Sequence, residues 1–141
     1  QLPKEKWIEL MDKTPEDIQV FILRGPGDKV LGDGLIPKTG RNNIKNLAGE
    51  LSLLGSAALM RDAQMNYVND SAPLHLCSAL NAPVTAFFCS TVPAFGFTPL
   101  ADNATILETK ENLDCRPCGL HGFKKCPKWH FKCGDIELPQ L

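Results

Sequence analysis

The chain alternates short apolar segments with segments of helical pattern, and this alternation limits the fold more than any other sequence feature. Apolar runs of strand length, bounded by turn residues, lie at 18–23, 44–47, 65–68, 84–88 and 105–109. Helical patterns cover 3–14, 52–63 and 72–79, with a weaker, glycine-interrupted one at 29–39. Strands alternating with helices predict one parallel sheet in an α/β fold. Ligands of such sheets bind beyond the carboxyl ends of the strands.

Length and composition bound the classes of protein that fit. A chain of 141 residues with 43% hydrophobic and 22% charged residues is typical of one soluble globular domain. A formal net charge of −1 argues against a nucleic-acid partner. No membrane-spanning run and no secretory pattern are present, which predicts a cytoplasmic location. The start at Gln1 without methionine, directly before a helical pattern, indicates a fragment or a processed product.

The segment Tyr67–Leu76 predicts a strand, a tight turn and a helix that opens with Pro73. The N–H groups and the dipole at the start of such a helix suit a phosphate. Asp70 would repel a phosphate, so as a ligand-binding residue it should accept hydrogen bonds from sugar hydroxyls. His75 either donates to a phosphate or bonds a backbone oxygen. An ordinary capped helix is the alternative, because Asp and Ser are favoured at N-caps.

Two further turns are predicted at the same sheet edge. The glycine-rich turn 24–28 ends in Asp28, which either accepts ribose hydroxyls or serves as a turn residue. The loop 89–97 follows a buried strand and offers the hydroxyls of Ser90 and Thr91 to a ligand. An ordinary loop with buried aromatic residues is the alternative for this second turn.

The carboxyl end contains a C-x2-C-x7-C-x6-C pattern formed by Cys115, Cys118, Cys126 and Cys133. Spacing of this kind suits a structural zinc or iron site, two disulfides or free thiols. Four thiolates would leave no open coordination position, so a metal here would be structural. Basic residues outnumber acidic ones six to two between residues 110 and 133, which suits a solvated face, an anionic acceptor or a membrane surface.

Three segments, taken in order, resemble bacterial glycosyltransferases of the lipopolysaccharide heptosyltransferase family. They are Asn69–Leu76, Cys89–Gly96 and Cys115–Cys133. The family has a run similar to Asn-Asp-Ser/Thr-Gly-x-x-His-Leu, then a Thr-x-Pro loop and a Cys-x-Pro-Cys tail. The run Cys115-Arg116-Pro117-Cys118 matches the last of these.

The resemblance implies the second domain of a GT-B type glycosyltransferase. Residues 1–110 would form a Rossmann-like nucleotide-sugar-binding domain that lacks its first strand, with 111–141 as a Cys-rich tail packed on it. The acceptor-binding N-terminal domain, which carries the family's catalytic carboxylate, would lie outside this chain. We therefore expect no catalytic residue here and no turnover by this chain alone.

The family's contacts to the donor carry over to positions of this sequence. The matches to sugar and diphosphate contacts are Asp70, Ser71, Ala72 and His75, with His75 stabilising the diphosphate; Asp28 and Leu51 fall near the ribose and base contacts. Ala72 stands where the family has glycine. Alanine would be strained if this position needed a positive φ, so either the turn is conventional or the diphosphate lies slightly differently.

The implied activity is transfer of heptose or a related sugar from an ADP-sugar to a lipopolysaccharide-core acceptor. It would need no cofactor and would take place in the cytoplasm, at the inner face of the inner membrane. Two other classes stay open: a metal-knuckle interaction module, and another sugar-nucleotide enzyme such as an epimerase.

Overall fold

The computed structural model describes residues 1–123 and 125–141 and divides them into two compact units. Unit 1 contains Gln1–Leu2 and Leu59–Glu137. Unit 2 contains Pro3–Ala58 and Leu138–Leu141. Among the described residues, no helix combines the length and the apolar character needed to cross a bilayer.

Unit 2 is built around a pair of short parallel strands. Val20 pairs with Ile44 and Ile22 with Asn46. Its elements are α1 (Lys4–Lys13), β1 (Val20–Ile22), α2 (Lys29–Asp33), β2 (Ile44–Asn46) and the first part of α3 (Leu53–Arg61). Asn46 joins β2 to α2, because its buried amide donates to Lys29 O at 3.0 Å and to Asp33 Oδ1 at 2.7 Å. Ser52 caps α3 as expected, since its Oγ accepts from Gly55 N at 3.0 Å.

Unit 1 contains a three-stranded parallel sheet in the order β3-β4-β5. Its strands are β3 (Asn66–Asn69), β4 (Val84–Phe88) and β5 (Ala104–Glu108), with α4 (Ala72–Leu80) connecting β3 to β4. Every residue of the central strand β4 is buried, as expected for a strand that is covered on both faces. The largest fully buried side chains of the protein all belong to this unit: Phe87, Phe88, Leu74, Ile136, Val84 and Cys77.

The expectation of parallel strands alternating with helices is confirmed, but the prediction of one continuous sheet is wrong. Hydrogen bonds group the strands into two sheets, β1-β2 and β3-β4-β5. The strands of the first sheet are three residues long and pair with each other, so the described residues contain no ladder that joins them to β3.

The predicted helix over 29–39 is also shorter than expected. α2 ends at Asp33, and a separate 3₁₀ turn covers Ile36–Lys38. Gly34 follows α2, and Pro37 has no N–H to continue an α-helix through this segment. The remaining elements differ from their predicted bounds by no more than three residues at either end.

Gly49 holds together the two loops that follow β1 and β2. Its φ is +74°, and a Cβ added there would lie 2.7 Å from Pro26 Cα. Its N–H donates to Arg24 O at 3.0 Å, and the side chains of Lys29 and Glu50 form an ion pair at 3.0 Å. A side chain at position 49 would therefore meet both backbone strain and a steric clash.

We expect Gly49→Ala to lower the free energy of unfolding by about 1–3 kcal/mol, because alanine would have to hold a left-handed φ against the Pro26 backbone. Gly25→Ala is the matched control, because Gly25 has an ordinary φ of −65° and nothing lies within 4 Å of a Cβ built there. Urea unfolding followed by circular dichroism measures both variants. Equal stability of the two alanine variants would contradict the described packing.

Candidate functional site

The end of β3 leads through Asp70 and Ser71 directly into α4. Ser71 occupies the N-cap position with extended backbone, but no side chain caps the helix. Its Oγ instead donates to Asn69 O at 3.3 Å. The first turn of α4 thus keeps its N–H groups free of a side-chain cap, although Ser71 stands where a capping residue is expected.

Ala72 adopts an ordinary helical conformation as the first residue of α4. Within the described part of the chain, the non-glycine residues with positive φ are Asn81, Trp129 and Phe131. Alanine at position 72 is therefore unstrained, and the turn is conventional.

Asp70 and Thr91 meet although 21 residues separate them in the sequence. Thr91 Oγ1 donates to Asp70 Oδ2 at 2.6 Å, and the N–H of Asp70 donates to Phe87 O at 3.3 Å. The parallel register aligns Asn69 with Phe87, so the residues that follow β3 and β4 emerge at the same edge of the sheet. Thr91 is buried and Asp70 is half-buried. The pair forms an anchored carboxylate beside the start of α4.

His75 lies on the exposed side of α4, one turn beyond the helix start. Its ring packs edge-on against Phe97, with ring centroids 6.3 Å apart and an interplanar angle of 76°. Phe97 is 46% exposed and belongs to the loop after β4. The imidazole thus lies at the surface beside that loop.

The hydroxyl of Ser90, which was predicted to face a ligand, lies against Gly122 of the tail. A Cβ added to Gly122 would lie 2.4 Å from Ser90 Oγ, so the tail passes directly over this hydroxyl. Gly122 also has a φ of +71°, and glycine is required there on both counts.

Asp28 and Leu51 belong to unit 2, whereas the other predicted donor contacts belong to unit 1. Asp28 ends a 3₁₀ turn after β1, and its Oδ2 lies 3.5 Å from Arg24 Nε. Leu51 follows β2 and is 38% exposed. Both residues lie on the two loops that meet at Gly49.

The tail is tied to the loop after β4 by Arg116, whose side chain is 11% exposed. Its guanidinium donates to three backbone carbonyls: Phe88 O at 3.1 Å, Cys89 O at 2.7 Å and Thr91 O at 2.9 Å. It also pairs with Glu108 Oε2 at 2.6 Å. The N–H of Cys118 donates to Ser90 O at 2.8 Å. The sequence did not predict this role, because an arginine within a Cys-Arg-Pro-Cys run gives no sign of backbone partners 25–28 residues away.

The profile of glycosyltransferase family 9 (heptosyltransferase) matches residues 1–124. The chain belongs to this family. It is 33% identical over 95 residues to lipooligosaccharide heptosyltransferase 2 of Haemophilus influenzae, a match that covers 65% of this chain and 27% of that protein.

Two solved structures share the fold of this chain. One is an ADP-heptose lipopolysaccharide heptosyltransferase II from Escherichia coli, with a TM-score of 0.69 at 24% identity, covering 83% of this chain and 38% of that one. The other is a family 9 glycosyltransferase from Veillonella parvula, with a TM-score of 0.68 at 24% identity, covering 77% and 31%. The chain thus spans between a quarter and two fifths of the length of these relatives.

The six cysteines of this family 9 chain are free thiols, so the disulfide alternative for the tail is not realised. Cys115 Sγ lies 3.8 Å from His130 Nε2, and Cys118 Sγ donates to Cys115 O at 3.2 Å. Within residues 1–123 and 125–141, no group of three or more His, Cys, Asp or Glu side chains is arranged to hold a metal ion. The zinc or iron hypothesis for Cys115, Cys118, Cys126 and Cys133 gains no support, and neither does the metal-knuckle module.

The environments of the thiols differ within the chain. Hydrogen bonds from backbone N–H groups, that of Phe131 above all, lower the pKa of Cys126. The side chain of Cys126 is partly exposed to solvent. Burial raises the pKa of Cys77 and of Cys89 to about 11. A thiol with a lower pKa and better solvent access should react faster with an alkylating agent, because the thiolate is the nucleophile.

We expect iodoacetamide at about pH 8 to modify Cys126 well before Cys77 and Cys89, because it has the larger thiolate fraction and the better access. Mass spectrometry of peptides from a time course gives the order. Labelling in denaturant is the control, in which the differences should disappear. Equal rates for Cys126 and Cys89 in the native protein would contradict this description of the thiols.

Proposed function

We propose that this chain is the donor-binding part of a heptosyltransferase that transfers heptose or a related sugar from an ADP-sugar to a lipopolysaccharide-core acceptor. The observation that carries the proposal is the Asp70–Thr91 pair beside the uncapped start of α4, in a chain of family 9. The relative from Escherichia coli is described as an ADP-heptose enzyme. The carboxylate and the helix start offer separate partners for a sugar and for a diphosphate.

The diphosphate would bind at the start of α4. The N–H groups of Ser71 and Ala72 lie at the positive end of the helix dipole and suit an anion. His75, exposed one turn later, would add a hydrogen-bond donor toward the phosphates. These groups would stabilise the diphosphate as it departs from the sugar during transfer.

The sugar would bind at Asp70. A carboxylate accepts hydrogen bonds from hydroxyl groups and repels phosphate, so its place beside the helix start favours the sugar end of the donor. The hydrogen bond from Thr91 occupies one side of Oδ2 and fixes the carboxylate, while lone pairs of both oxygens remain for hydroxyls. Ser90, on the same loop, is a further candidate contact. Asp28 and Leu51 are our candidates for the ribose and the base.

Catalysis would need groups that lie outside these residues. Attack by the acceptor hydroxyl requires a general base, which we assign to the acceptor-binding domain of the complete enzyme. Transfer would need no cofactor, since the helix start and His75 supply the stabilisation of the leaving group. The acceptor places the reaction at the inner face of the inner membrane. The 141 residues alone should bind nucleotide weakly and show no turnover.

We expect ADP and ADP-heptose to bind this chain at least tenfold more tightly than UDP and UDP-linked sugars. Isothermal titration calorimetry with the four ligands measures this directly; a tenfold difference corresponds to about 1.4 kcal/mol. Tighter binding of the uridine compounds would contradict the assignment and favour another sugar-nucleotide enzyme, such as an epimerase.

We expect Asp70→Ala to weaken ADP-heptose binding about tenfold and to leave ADP binding unchanged, because hydrogen bonds to a charged group contribute roughly 1.5–3 kcal/mol. Asp62→Ala is the matched control, since Asp62 is an exposed carboxylate paired with its neighbour Arg61. Calorimetry with both ligands separates the two effects. Unchanged ADP-heptose affinity in Asp70→Ala would contradict the role given to this carboxylate.

A further inference from the structure

The end of β4 and the first residues of the loop after it are held by the tail. Four consecutive carbonyls, from Phe88 to Thr91, accept hydrogen bonds from only two tail residues. Arg116 supplies three of these bonds through its side chain, and Cys118 supplies the fourth through its N–H at Ser90 O.

This set of bonds reaches the carboxylate that we assign to the sugar. Arg116 holds the carbonyl of Thr91 at 2.9 Å, and the hydroxyl of the same residue donates to Asp70 Oδ2 at 2.6 Å. A rotation of the Thr91 backbone would move that hydroxyl. Arg116 therefore fixes the position of Asp70 indirectly, because it holds Thr91 and Thr91 holds the carboxylate.

Arginine is suited to this task and lysine is not. The planar guanidinium presents several donors in a fixed fork, whereas an ammonium group is a compact point charge. Glu108, at the end of β5, accepts a further bond from the same guanidinium at 2.6 Å. With the arginine removed, the carbonyls of the buried residues Phe88, Cys89 and Thr91 would lose these donors.

We propose that Arg116 is a positioning residue of the donor site: it fixes loop 88–91 so that Thr91 holds the Asp70 carboxylate toward the sugar of the donor. The proposal rests on the proposed function, since it concerns the same site. It predicts that the tail controls sugar affinity through Thr91 while contributing nothing to the binding of the nucleotide alone.

A double-mutant cycle tests this coupling. We expect Arg116→Lys and Thr91→Val each to weaken ADP-heptose binding about tenfold, and the double variant to lose about tenfold as well, because both act on the same carboxylate. Binding of ADP should stay unchanged in all three. Independent effects that multiply to about a hundredfold, or an equal loss for ADP, would overturn the proposal.

Two controls separate positioning from general effects on the tail. Glu108→Gln removes the ion-pair partner but leaves the backbone bonds of Arg116, and Lys110→Gln removes an exposed charge that pairs with Glu137. We expect both variants to bind ADP-heptose within about twofold of the parent chain. An effect of Glu108→Gln as large as that of Arg116→Lys would assign the loss to the ion pair and overturn the proposal.

Amide hydrogen exchange provides a test that needs no variant, in case Arg116→Lys does not fold. The N–H of Cys118 donates to Ser90 O, so its exchange reports on the bonds that hold loop 88–91. We expect ADP-heptose, but not ADP, to slow this exchange about tenfold in the parent chain. Equal exchange with both ligands would overturn the role of the tail, while failure of the parent chain to bind either ligand would refute the proposed function and this inference with it.

Discussion

The parallel pairing of β3 with β4 is the interaction on which the candidate site depends. β4 is buried along its whole length, and its register aligns Asn69 with Phe87. Tyr67 and Phe87 stack across this pair with ring centroids 6.5 Å apart. A slip of one residue would turn every side chain of β3 to the opposite face, which the burial around β4 opposes. The fixed register is what places Asp70 and Thr91 within hydrogen-bonding distance.

Much of the site in unit 1 could be predicted, because its chemistry follows from local sequence. An apolar strand, then Asp and Ser, then a helix with proline in its first turn, marks the start of α4 without knowledge of any distant contact. Placing Ser90 and Thr91 near this turn needed only the rule that parallel strands end at one edge of a sheet. The likeness to heptosyltransferases, stated from three short segments, is confirmed by the match of the family 9 profile.

Features that depend on distant or backbone partners could not be predicted. Serine at an N-cap position predicts a capping bond, but Ser71 donates to Asn69 O instead. The prediction of a single sheet is wrong, because an apolar run indicates that a strand exists but does not show which strand it pairs with. The basic residues between 110 and 133 suit a solvated face in the sequence. Arg116 is one of them, yet its side chain is mostly buried and donates to three main-chain carbonyls. The order of residue types along the sequence does not indicate bonds between a side chain and a distant main chain.

We propose that the start of α4 and the loop after β4 together bind the sugar diphosphate of a nucleotide sugar. The most direct measurement is a ¹⁵N–¹H correlation spectrum of the chain titrated with ADP-heptose. We expect the largest shifts at the amides of Ser71, Ala72, His75 and Thr91. Shifts confined to the tail (111–141), or no shifts in these four amides at saturating ligand, would contradict this proposal.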